Sequence, residues 1–132
     1  MTHRPFRYRV RPEDVTAYHP ANHEHTSNRR LIGPETVGAR QMELLLGTLH
    51  KGGGALPHAH PGIEQACYLL EGTAHVEVGD EAFDLVPGDS CFFPAEVMHR
   101  FTVTSDEPVR LLVFYSPPYG ESPDKVIRGS DA

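Results

Sequence analysis

The chain contains no tryptophan and only two cysteines among its 132 residues. Cys67 and Cys91 are too few for a disulfide scaffold, and they lack the Cys-x-x-Cys spacing of a redox or zinc motif. They read as two small buried hydrophobes. Positive charge is not in excess: 12 Lys and Arg stand against 18 Asp and Glu, for a net charge of −6. Such a balance speaks against broad binding to nucleic acid or to anionic membranes. The one basic cluster, Arg4, Arg7, Arg9 and Arg11, is short and diluted by Pro and Tyr, and reads as a solvated edge or a packing arm. No apolar run is long enough to span a bilayer. The polar start of the chain has no signal-peptide core, so a soluble, cytoplasmic protein is the expectation. No long segment carries a 3.6-residue hydrophobic period, which removes long amphipathic helices.

What is present is punctuation. Twelve glycines and twelve prolines interrupt short runs rich in Val, Leu, Phe and Tyr. That rhythm predicts an all-β sandwich or barrel. The expected strands are Gln41–His50, Glu64–Leu70, Thr73–Val78, Glu81–Leu85, Ser90–Phe93, His99–Thr104 and Val109–Tyr115. Gly79-Asp80 is a hairpin signal, and Pro117-Pro118 stops the last strand because proline cannot donate to a ladder. One helical turn is expected at Arg11–Val15. Residues 1–40 read as an N-terminal arm and irregular loop packing on the barrel, with strand pieces near Arg30–Ile32. Residues 41–117 read as the barrel, and residues 118–132 as a mobile tail.

The chemistry concentrates in residues 52–72 and at one later histidine. His58 and His60 lie two apart, and in a strand side chains at i and i+2 share a face. Two imidazoles converging on one point suit a divalent metal. Glu64 and Gln65 follow, and alternation allows only one of them to face inward easily. His99 supplies a third imidazole at the start of a later strand, behind a Pro-containing turn.

These segments resemble the two motifs of the cupin superfamily. Gly52, five residues, His58-Ala59-His60, four residues, Gln65, six residues and Gly72 follow the first motif, with Gln65 where glutamate is usual. Gly88, five residues, Pro94-Ala95-Glu96, two residues, His99, three residues and Val103 follow the second. There Glu96 and Val103 replace the glycine and the asparagine, so that turn is expected to differ in shape. The resemblance spans about residues 41–116 and implies a double-stranded β-helix, or jelly-roll, barrel enclosing a metal. It carries His58, His60, Gln65 and His99 across as ligands, with Glu64 as the alternative should a bulge rotate the strand.

Three imidazoles and an amide leave the charge of a divalent ion uncompensated, which favours an anionic ligand or a developing enolate. A nitrogen-rich set suits one transition ion, among Fe, Ni, Zn, Mn and Cu, better than Mg or Ca. Metal release is expected below about pH 6, where free imidazoles protonate. Secondary candidates are His50 and Glu96 as bases, and Cys67, Phe101, Tyr115 and Met42 as cavity walls, plain core packing being the commoner role for the last four. His23 and His25 repeat the His-x-His spacing but sit in a turn-rich stretch and read as ordinary exposed histidines.

The resemblance implies a small-molecule metalloenzyme of dioxygenase or Lewis-acid (isomerase or ring-opening) type, with an anionic or oxygen-chelating substrate. The alternative is a non-catalytic binding or sensing module. Leu44, Leu46, Leu112 and Phe114 exceed what one small barrel can bury, so a homodimer joined through sheet faces is expected.

Overall fold

Short apolar runs between turns fold into strands that enclose one core. The computed structural model describes residues 5–21, 23–120 and 122–128; Arg4 of the basic cluster and Gly129 and Ser130 of the tail lie outside them. In chain order the strands are β1 (His23–Ile32), β2 (Glu43–Ala59), β3 (Glu64–Glu71), β4 (Ala74–Val78), β5 (Glu81–Leu85), β6 (Ser90–Phe93), β7 (His99–Val103), β8 (Val109–Ser116) and β9 (Ile127–Arg128). Single 3-10 turns occupy Pro12–Asp14 and Pro123–Lys125. β5 and β6 fall on the residues expected from the sequence, and β3, β4, β7 and β8 within one residue of them.

The strands run in the order β5-β4-β7-β2-β8-β3-β6. β2 belongs to both faces of the barrel. Its first half pairs with β8 from Glu43 to Leu49, and its second half pairs with β7 from Gly54 to His58. A corner inside one strand is needed for this switch. It lies at Gly52-Gly53-Gly54, just beyond His50, where the sequence predicts the strand to end. A Cβ on Gly53 would sit 2.3 Å from the Glu24 carbonyl oxygen, and one on Gly54 (φ 147°) 2.0 Å from that of Phe101. Glycine is required here because neighbouring backbones close in on the bend, not because the strand stops.

Two further expectations are corrected. The stretch taken for an irregular arm contains β1, which runs along β2 from His23 opposite Ala55 to Ile32 opposite Leu44. A register shift between Glu24 and Thr26 accompanies a positive φ of 48° at His25. The polar string His-Glu-His-Thr-Ser-Asn-Arg-Arg hid this strand, since β1 draws much of its pairing from backbone groups.

The segment taken for a mobile tail is tied down in its described part. The Tyr119 and Gly120 N–H groups donate to Glu43 Oε1 at 3.0 and 3.1 Å, and Arg30 Nε donates to Glu43 Oε2 at 2.6 Å. Glu43 is only 1% exposed. A buried carboxylate must be paired and hydrogen-bonded, and here Arg30 supplies the charge and the C-terminal segment two N–H donors. β9 then pairs with β2 opposite His58 and Ala59.

On β7 and β8 the core follows alternation. His99, Phe101 and Val103 of β7 point inward while Arg100 and Thr102 point out, and Val109, Leu111, Val113 and Tyr115 of β8 do the same. Leu45, Leu69, Val76 and Val109 are almost wholly buried, each burial contributing about 2 kcal/mol. The interior is therefore mainly apolar, with the imidazoles of His58, His60 and His99 buried in it. No helix among the described residues is long and apolar enough to cross a membrane.

Candidate metal centre

Local strand geometry brings the three histidines together. His58 lies near the end of β2, His60 one residue past it, and His99 opens β7 opposite His58 in the ladder. The ring centroids stand 4.9 Å apart for His58 and His60, 4.3 Å for His58 and His99, and 5.7 Å for His60 and His99. All three are buried. One nitrogen from each lies within 4.8 Å of the others, and these three histidines could hold a metal ion.

The rings are oriented from behind. His58 Nδ1 lies 2.6 Å from the Leu56 carbonyl oxygen, and His60 Nδ1 lies 2.9 Å from that of Lys125. A carbonyl only accepts, so each Nδ1 carries the proton and each Nε2 keeps its lone pair. This is the backing that metal-binding histidines require. His60 is further packed against the Tyr119 ring at 4.4 Å, and His99 against Phe93 at 4.3 Å.

The donor set fits a cation. His60 Nε2, Gln65 Oε1 and both ring nitrogens of His99 are buried without a hydrogen bond of normal geometry. Several acceptors left unsatisfied in one small region would be costly unless something electrophilic joins them. Gln65 lines the cavity, in register with Phe93 of β6 and Tyr115 of β8. Glu64 is exposed on the opposite side of β3, as alternation demands, and takes no part in the cluster.

Burial also holds the rings neutral. Desolvation, followed by the field of neighbouring rings, lowers His58 to about 4 and His99 to about 2. His60 is lowered too, chiefly by burial. Neutral imidazole is the form that ligates.

The space beside His58 and His99 is about 40 Å³, room for one to a few water-sized molecules. Cys67, Phe101 and Tyr115, read from the sequence as cavity walls or plain core, line it. The other candidates do not. His50 is exposed and borders an outer cleft of about 260 Å³. Met42 is half exposed on the outer face, beside Glu64, Phe92 and Phe114, because it shares the outward parity of Leu44. Glu96 is exposed, and its Oε2 accepts from the Gly62 N–H at 3.3 Å. It adopts φ 69°, so this turn keeps a left-handed conformation although a glutamate stands where the motif has glycine.

Sequence reasoning missed His23. Its ring lies 5.4 Å from that of His58, and it borders both the inner cavity and the outer cleft. Its Nδ1 is 2.7 Å from the Ala21 carbonyl oxygen, which leaves Nε2 as the acceptor. Burial lowers its pKa as well. The only signal was its two-residue spacing from His25, and the hidden strand β1 made that spacing unreadable.

Comparison with known proteins agrees with this architecture. A family profile described as the cupin domain matches residues 45–115. A protein named polyketide synthase CurC, from Streptomyces cyaneus, is 31% identical over 109 residues, covering 83% of this chain and 71% of that protein. Among solved structures, the polyketide cyclase RemF from Streptomyces resistomycificus is 26% identical with a TM-score of 0.73, over 94% of this chain and 86% of RemF. KdgF from Halomonas sp. shares the fold at 18% identity and a TM-score of 0.71, over 85% of this chain and 96% of KdgF. The matched profile, the jelly-roll barrel and the motif histidines lead to one assignment: the chain belongs to the cupin family.

Proposed function

We propose that this chain is a metal-dependent enzyme in which His58, His60, His99 and Gln65 hold one divalent transition ion, and that it cyclises or isomerises a small molecule carrying closely spaced carbonyl or enol oxygens. One observation carries the reading: Gln65 Oε1 on β3, the ring nitrogens of His99 on β7 and His60 Nε2 just past β2 are buried without partners, and Gln65 and His99 line one small cavity together with His58. The relatives named as a polyketide synthase and a polyketide cyclase favour a poly-β-ketone substrate over other oxygen chelators. Bound there, the ion supplies a Lewis acid that polarises carbonyl oxygen.

The chain's own residues do the rest. The Leu56 and Lys125 carbonyls fix the His58 and His60 tautomers, so both rings present lone pairs without rearrangement. Three neutral imidazoles and a neutral amide would leave the charge of a bound cation uncompensated. His23 Nε2, at the cavity edge, accepts a proton from a substrate carbon or hydroxyl. Only the reacting end of a multi-ketone chain fits about 40 Å³, so its body occupies the outer cleft beside His19, His25 and His50. Phe93 and Tyr115 keep bulk water from the reacting atoms.

The test is turnover of metal-loaded protein with linear tri- and tetraketones, following aromatic absorbance and oxygen together. Cyclised product without oxygen uptake, from the zinc or nickel form, is the expected result. Oxygen uptake that depends on iron would replace this reading with a dioxygenase. Binding with no turnover under any metal would replace it with a sensing module.

The chain is further proposed to act as a homodimer. Leu44, Phe114, Ala66 and Phe92 are successive cross-strand neighbours on the outer face, and Phe92 is 53% exposed. A contiguous apolar row of this kind suits an isologous interface.

A further inference from the structure

Cys67 and Cys91 have no part in the proposed mechanism, yet they face each other directly across the β3–β6 ladder. Both are free, and both are buried, at 2% and 7% exposure. The phase of the ladder is fixed nearby, where the Leu69 N–H donates to the Asp89 carbonyl at 3.0 Å. Counting back two residues makes Cys67 and Cys91 a pair of the hydrogen-bonded type, whose Cα atoms stand about 5.5 Å apart. That Cα spacing is within the roughly 4.4–6.8 Å range that a disulfide spans; side chains stand farther apart in this type of pair than in the other, but the two thiols are hydrogen-bonded to each other. Both side chains occupy the inward face, so their Cβ vectors leave the sheet on the same side.

Access decides which oxidant can reach them. Cys67 lines the inner cavity, which admits water-sized molecules and excludes glutathione or a protein thiol. We propose that Cys67 and Cys91 are a peroxide-responsive dithiol, closed to an intrachain disulfide by hydrogen peroxide entering the metal cavity. One sulfur of the pair, as its thiolate, displaces water from the peroxide: that cysteine's S–H bond and the O–O bond break, an S–O bond forms, and a sulfenic acid results. The partner sulfur then attacks that sulfur; the S–O bond breaks, the S–S bond forms, and a second water leaves. The two thiols give up two electrons and two protons, and the peroxide takes them. Cys67 shares its face of β3 with Gln65, so the crosslink forms one alternation step from the amide proposed as a ligand. The disulfide itself does not depend on that assignment.

The test is peptide mapping of the purified full-length chain after hydrogen peroxide and then iodoacetamide. The expected product is a monomer lighter by two hydrogens, with the Cys67 and Cys91 peptides joined, neither cysteine alkylated, and full reversal by dithiothreitol. In Cys91→Ser the same treatment leaves Cys67 as a sulfenic or sulfinic acid with no crosslink. Should that variant fail to fold, the map of the unsubstituted chain decides alone. Alkylation of both cysteines after peroxide, separate sulfinic acids at each, or a disulfide joining two chains would overturn the proposal.

Discussion

His60 donates its Nδ1 proton to the carbonyl of Lys125, 65 residues further along the chain, at 2.9 Å. Orientation of a ring in the cluster therefore depends on a C-terminal segment that Glu43 anchors through Tyr119 and Gly120.

Removing the chain after Gly120 takes away β9 and the Lys125 carbonyl, leaves β1 to β8 in place and frees His60 to rotate. The expected effect is a loss of metal affinity of about 10–100-fold, the usual cost of losing such a backing partner. Glu43→Ala acts on the same device from the other end. It leaves Arg30 and two N–H groups without their carboxylate, and should cost about 3 kcal/mol in urea unfolding. Metal titration of the truncated chain and denaturation of the Glu43 variant check the two effects separately. Unchanged affinity after truncation would remove the segment from the site.

Stability of the metal-free protein should fall as pH drops from about 6.5 to about 4. The unfolded chain protonates its histidines near 6.5, whereas folded His58 does so only at about 4 and His99 at about 2. Within that window the unfolded state binds more protons, so acid favours unfolding. Above the window these rings add no slope. The same shifts revise the sequence expectation of release below about pH 6: neutral rings should retain the ion at about pH 5. Urea midpoints and metal content across this range test both statements, and a flat stability profile would contradict the burial account.

Gln65→Glu places a carboxylate where the amide faces the cavity. Part of the cation's charge is then cancelled. Metal affinity should rise while turnover falls by more than about tenfold, since a weaker electrophile polarises carbonyl oxygen less. A variant with tighter metal and faster turnover would show that the neutral donor is not what tunes the site.

Phe92→Glu together with Phe114→Lys places charges of opposite sign in the exposed outer row. Light scattering should report a monomer with its cavity chemistry intact, against a dimer for the unsubstituted chain. An unaltered dimer would place the interface elsewhere.

Much of this molecule is legible in the chain itself. The alternation Ala74, Val76, Val78 and the Gly79-Asp80 turn fix the hairpin of β4 and β5, because one face is buried and the turn permits little else. His58, His60 and His99 are legible through their spacing. The rest is hidden where backbone, not side-chain pattern, carries the interaction. β1 is a polar string paired by its amides, and the glycine bend of β2 looks like a terminus because glycine serves both purposes. The C-terminal segment is held by a buried carboxylate accepting main-chain N–H groups, which leaves no periodic trace. His23 follows from the same cause: with β1 unread, its approach to His58 could not be foreseen.

The most direct measurement is anomalous diffraction from crystals of the metal-loaded chain, recorded at the absorption edge of the added ion. One peak per chain is expected, about 2.0–2.2 Å from a nitrogen of each of His58, His60 and His99 and from Gln65 Oε1, and absent from His60→Ala crystals. A peak bound elsewhere, a Gln65 amide turned away from the ion, or full occupancy in the His60→Ala variant would contradict the account.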